Sequence, residues 1–151
     1  MNTDDLKIIA HLRQDSRRNL TRISKHTMMP VSTIFDRMKK YNKDIITKST
    51  ILVDFKKLGY DIKVNILVKI CQEKRDPLKN FLESCLSVNS VYRINNGFDY
   101  FIEAIFKDMM QLEQFNDKID ALGAELKQVH YILEEIKREE FISEPDLVDM
   151  I

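Results

Sequence analysis

Residues 29–41 read MPVSTIFDRMKKY, and their reading decides how the first third of the chain is built. Val31, Ile34, Met38 and Tyr41 recur at helical spacing and form one apolar stripe. Ser32, Thr33, Asp36, Arg37 and Lys40 fall on the other side. Pro30 forces the residue before it into an extended conformation, so a preceding helix must end near Met28-Met29. Outward toward the N-terminus, Leu20 to His26 predicts a short helix with Leu20, Ile23 and Ser24 facing inward. Before it, Leu6, Ile9, Ala10 and Leu12 predict a helix from about Asp4 to Gln14. Thr3, Asp4 and Asp5 supply capping groups and negative charge at its start. Toward the C-terminus, Ile45 to Val53 is rich in Ile, Val and Thr and predicts a β-hairpin.

Three helices followed by a hairpin make a winged helix-turn-helix, whose third helix enters the DNA major groove. Ser32, Thr33 and Asp36 then reach base edges, and the free N–H groups beside them favour a phosphate. Arg37 is placed to read guanine O6/N7, and Lys40 to neutralise a phosphate. Arg22, Lys25 and Lys48 supply backbone contacts, joined by Arg17, Arg18 and Lys43.

Beyond Asn42 the period changes. Asp54 to Tyr60 is a linker turning at Gly59. Ile62, Val64, Ile66, Val68 and Ile70 alternate as a half-buried strand. A helix starts at Asp76-Pro77, with Leu78, Phe81, Leu82, Cys85 and Leu86 on one face. Strands over Val88–Asn95 and Tyr100–Phe106 flank the turn signal Asn96-Gly97. Asp108 caps a second helix carrying Leu112, Phe115, Ile119 and Leu122, and Val129 to Lys137 reads as the last strand. The order β-α-β-β-α-β is ferredoxin-like. The predicted fold is α+β: a winged helix-turn-helix domain over residues 1–53, a linker over 54–60, a βαββαβ domain over 61–141 and a tail over 142–151.

Of the 151 residues, 44% are hydrophobic and 32% charged, the range of a soluble globular protein. The start, MNTDDLK, is acidic and soon amphipathic, so neither a signal peptide nor a membrane span is expected, and the location predicted is cytoplasmic. Cys71 and Cys85 are read as reduced structural thiols. The formal net charge of zero conceals a split: residues 1–60 carry 13 Lys/Arg against 6 Asp/Glu, and residues 61–151 carry 11 against 18. Such a split suits a first half that meets a polyanion. His11, His26 and His130 stand alone, at no metal-ligand spacing, and are expected at the surface or facing a partner. No phosphate loop, nucleophile elbow or Cys/His pair suggests catalysis, and no cofactor or metal is expected.

In this order and spacing, DDLKIIAHLRQD, ISKH with PVSTIFDRMKK, IITKSTILVD with LGY, and FDYFIEAIF resemble the leucine-responsive regulatory protein (Lrp/AsnC) family of transcription regulators. The resemblance covers nearly all of residues 4–140. It implies double-stranded DNA as partner, a homodimer or a multiple of it such as a tetramer or octamer, and a small-molecule effector such as a free amino acid. It also implies that Asn95-Asn96-Gly97-Phe98-Asp99 is the effector loop, with Asn95, Asn96 and Gly97 beside the ligand. Backbone N–H groups around Gly97 would approach a carboxylate, and Asp99 would pair with the ammonium. Met28 stands where the family has a turn glycine, and Asn96 where it has a loop glycine. Siroheme decarboxylases share this architecture, but Arg75, Arg93, Arg138 and His130 are a sparse set for a tetrapyrrole's carboxylates in an acidic half. An architectural DNA-binding protein without effector is the third reading.

Overall fold

The computed structural model describes residues 2–150. They form two compact units, one built from the residues up to Leu52 together with those from Ile136 onward, the other from Val53–Glu135.

The first unit is helical. α1 (Thr3–Gln14) begins with a capping box in which Asn2 and Asp5 each take the other's backbone N–H. Asn2, not Thr3, is therefore the capping residue. α2 (Leu20–Thr27) is capped by the Asn19 side chain, which accepts from Thr21 N–H. It ends at Met28, whose φ of 57° is left-handed. α3 (Val31–Asp44) follows Pro30 directly. Ile8, Ile23, Ile34 and Tyr41 form the core, with Ile9, Leu12, Leu20, Met29, Met38 and Ile46 packed around them. Val31, expected in the stripe, is 40% exposed: it precedes the turn of α3 that meets the other helices.

The hairpin expected over Ile45–Val53 is not formed. Residues 46–54 hold no strand or helix, and Ile51 and Leu52 are exposed. An isolated two-stranded ribbon with no surface to lie on is marginal in water. The tail from residue 139 folds back on α1 and ends in a 3-10 turn, Pro145–Met150, with Val148 and Pro145 buried.

The second unit is an antiparallel sheet with two helices. β1 (Ile62–Ile70), α4 (Arg75–Ser84), β2 (Val88–Arg93), β3 (Tyr100–Phe106), α5 (Met109–Ala121) and β4 (Ala124–Tyr131) follow in sequence, and the sheet order is β2-β3-β1-β4. Val64, Ile66, Val68, Ile102 and Ala104 line the inner face, against Leu78 and Leu82 of α4 and Leu112, Phe115 and Ile119 of α5. Alternation carries Lys63, Asn65 and Leu67 of β1, with Phe101 and Glu103 of β3, to the opposite face. The last strand lies earlier than the expected Val129–Lys137, because its ladder is set by β1, which pairs Ile70 with Ala124 and Val64 with Tyr131.

Candidate nucleic-acid interface and effector loop

Ile34 and Tyr41 hold α3 on the core, which turns Ser32, Asp36 and Lys40 out to solvent, with Thr33 half-buried beside them. No side chain caps α3, because Pro30 occupies the cap position. The first backbone N–H groups of the helix keep their capacity to donate. Arg22 and Lys25 are exposed on α2, and Lys48 is exposed in the irregular segment after α3. Phe35, 48% exposed on the same helix, escaped the sequence reading, which sought charge and hydroxyls. Lys39 stacks over its ring with Nζ 4.4 Å from the centroid.

Arg37 has a different occupation. Its guanidinium donates to Asp5 Oδ1 at 2.9 Å, and the buried Tyr41 hydroxyl donates to the same oxygen at 2.5 Å. Burial works against ionisation of Asp5, but Tyr41, the Asn2 amide and Arg37 outweigh it and hold the carboxyl below its ordinary value. Burial and the hydrogen bond to Asp5 push the Tyr41 phenol well up. The group ties α3 to the start of α1. Sequence spacing could not reveal it, since Asp5 lies 32 residues from Arg37.

The histidines do not stand alone. His11 is only 3% exposed, and its Nε2 lies 3.0 Å from His26 Nδ1. Arg18 donates to His11 Nδ1 at 2.5 Å. Burial, then the facing His26 and Arg18, lower the His11 pKa to about 4. Among the described residues no group of three or more His, Cys, Asp or Glu side chains could hold a metal ion.

In the second unit the loop between β2 and β3 exposes Asn95, Asn96 and Gly97. Asn96 (φ 64°) and Gly97 (φ 94°) are both left-handed, a conformation that asparagine tolerates and glycine adopts freely. Asp99 closes the loop. Its N–H donates to Val68 O, and its carboxylate accepts from Ile70 N–H at 2.9 Å and from Arg75 at 2.6 Å, with Arg93 at 3.8 Å. The Ile70 N–H, acting against burial and with help from the arginines, holds the Asp99 carboxyl below its usual range. The carboxylate that sequence reading reserved for a ligand's ammonium is thus matched by the protein's own arginine.

Neither site contains a nucleophile–base pair. An uncharacterized HTH-type transcriptional regulator of Pyrococcus furiosus is 30% identical over 149 residues, covering 96% of this chain and 100% of that protein. LrpC of Bacillus subtilis superimposes with a TM-score of 0.82 at 22% identity, over 91% of this chain and 97% of its own. A transcriptional regulator of Neisseria meningitidis, solved as its L-Met complex, superimposes with a TM-score of 0.83 at 21% identity, over 91% and 93%. A family model described as tumor necrosis factor alpha-induced protein 8-like also matches residues 4–132. That description names a different kind of protein. Three helices followed along the chain by a sheet of order β2-β3-β1-β4 match the fold of the LrpC and Neisseria structures, and the Pyrococcus relative, like the Neisseria protein, is described as a transcriptional regulator. The chain belongs to the leucine-responsive regulatory protein (Lrp/AsnC) family of HTH-type transcription regulators, and is a regulator rather than an enzyme.

Proposed function

We propose that the protein is a sequence-specific DNA-binding regulator that reads duplex DNA with α3 and answers to a small molecule, an amino acid being the first choice. The observation that carries the DNA reading is the outward face of α3. Ser32, Asp36 and Lys40 stand exposed along it, behind an N-terminus whose N–H groups no side chain caps. Thr33 joins them, and Arg22, Lys25 and Lys48 supply phosphate contacts. Arg37 reaches a base only by leaving Asp5, so its first task is to hold α3. In this reading residues 1–53 bind DNA, 54–60 link, and the domain expected over 61–141 binds effector and dimerises through its residues up to Glu135, since those from Ile136 onward join the helical unit.

The effector reading draws support from the L-Met bound by the Neisseria regulator. In this chain Asn95, Asn96 and Gly97 would meet the ligand's carboxylate through backbone N–H groups, and Asp99 would meet its ammonium only by releasing Arg75. That last point favours a second reading, an architectural DNA-binding protein without effector. No helix among the described residues is long and apolar enough to cross a membrane. A regulator that reads duplex DNA works where the DNA is, and on that ground we place it in the cytoplasm.

Selection of binding sites from random duplex DNA, with and without a pool of amino acids, tests both readings. One enriched motif whose recovery changes with the pool is expected. A motif indifferent to every amino acid selects the architectural reading, and no enrichment removes sequence specificity.

A further inference from the structure

We propose that residues 139–150 are an acidic strap that occupies cations of the helical unit in the free protein and is displaced when duplex DNA binds. The proposal rests on the DNA-binding reading above. The segment EEFISEPDLVDM holds five carboxylates and no basic side chain. Three of these carboxylates reach the helices. Asp149 pairs with Lys7 at 2.9 Å, Glu139 with Arg13 at 3.2 Å, and Asp146 with His26 Nε2 at 3.0 Å. Arg13 also donates to the Glu139 carbonyl at 3.0 Å. Between these contacts Val148 is 2% exposed.

The Asp146 contact ends an ordered chain of hydrogen bonds. Arg18 can only donate, so His11 Nδ1 accepts and His11 carries its proton on Nε2. That proton is donated to His26 Nδ1, which leaves the His26 proton on Nε2, aimed at Asp146. The strap therefore closes a relay that begins at an arginine between α1 and α2.

The charged part of the attachment is nevertheless weak. Asp146, Asp149 and Glu139 are more than half exposed, and pairs so open to water are screened. Phe141, Leu147 and Met150 remain in solvent. Where the strap begins, Glu139 (φ 54°) and Ile142 (φ 51°) are left-handed, a strained conformation for a β-branched residue. An element docked against strain, its carboxylates held by screened charge around one buried anchor of Pro145 and Val148, yields to a denser polyanion. A duplex is such a polyanion, and the strap carboxylates behave as counterions that it replaces.

Hydrogen exchange on the full chain at low salt tests this. Amides 143–150 are expected to be protected in the free protein and to lose protection when a random-sequence duplex is added. In a second measurement, Glu139→Gln, Asp146→Asn and Asp149→Asn together are expected to tighten binding to random DNA several-fold. Removing three charges from the other unit by Glu113→Gln, Asp117→Asn and Glu125→Gln is expected to change it much less. A strap that stays protected with DNA bound, or equal gains in the two triple variants, overturns the proposal. If none of these proteins binds any duplex, the DNA reading fails and takes the strap's role with it, an outcome distinct from DNA bound over an undisturbed strap.

Discussion

Met28 closes α2 in the left-handed conformation, which costs a residue with a Cβ roughly 1–2 kcal/mol. Its side chain is 88% exposed, so little packing is at stake. Glycine loses roughly 0.5–1 kcal/mol more chain entropy on folding. The balance favours Met28→Gly by roughly 0.5–1 kcal/mol, and a calorimetric melting point that fails to rise would count against this. His11 sets a pH dependence. Its folded pKa of about 4 lies below the ordinary 6.5, so the fold favours the neutral ring. The stability gained is full above pH 6.5 and is lost as pH falls from 6.5 toward 4. His11→Gln keeps a donor and an acceptor without titrating, and is expected to flatten denaturation midpoints across that window. An unchanged slope would assign the acid loss to other groups. At this scale the sequence was least legible. The departure at Met28 showed, but the partners of His11 lie 7 and 15 residues away, and no local pattern carries them.

Elements were legible where one periodicity governs them. β1 and β3 fall where alternation put them, because each packs one face on the helices. β4 did not, since only Ala124, Lys127 and Val129 of its residues are even half-buried and its ladder with β1, not its composition, fixes where it lies. The segment 46–54 has strand composition without a surface to lie on. α3 was legible as a helix, yet its charged residues divide by what they touch. Arg37→Ala removes a half-buried charged hydrogen bond and is expected to cost roughly 1–2 kcal/mol of stability. Lys40→Ala, at an exposed site, is expected to leave melting unchanged, weaken binding to every DNA sequence alike and lower the salt slope by about 1. Relaxed preference at one base pair in a normally melting Arg37→Ala protein would return Arg37 to the base-reading role.

At the scale of the whole molecule the charge split suits a basic half that meets a polyanion. What the acidic half meets is written on its sheet. The face turned away from α4 and α5 carries Leu67 and Phe101, half-buried, with the Tyr92 ring tilted against Phe101 at 6.1 Å between centroids. Beside them Asn65 Oδ1 is buried without a hydrogen-bond partner, and Lys63 faces Glu103 at 3.8 Å. An apolar patch with its own complementary charges suits a second copy across a two-fold axis. The protein is therefore expected to sediment as a dimer or a multiple of it at micromolar concentration. Leu67→Asp sets a carboxylate in the middle of that face while the inner core of Val64, Ile66 and Val68 stays intact. The variant is expected to sediment as a monomer with its circular dichroism unchanged. DNA affinity should then fall steeply, because two half-sites are no longer bound together. A wild-type monomer, or a Leu67→Asp protein that associates as well as its parent, would leave this face without a second copy to explain it.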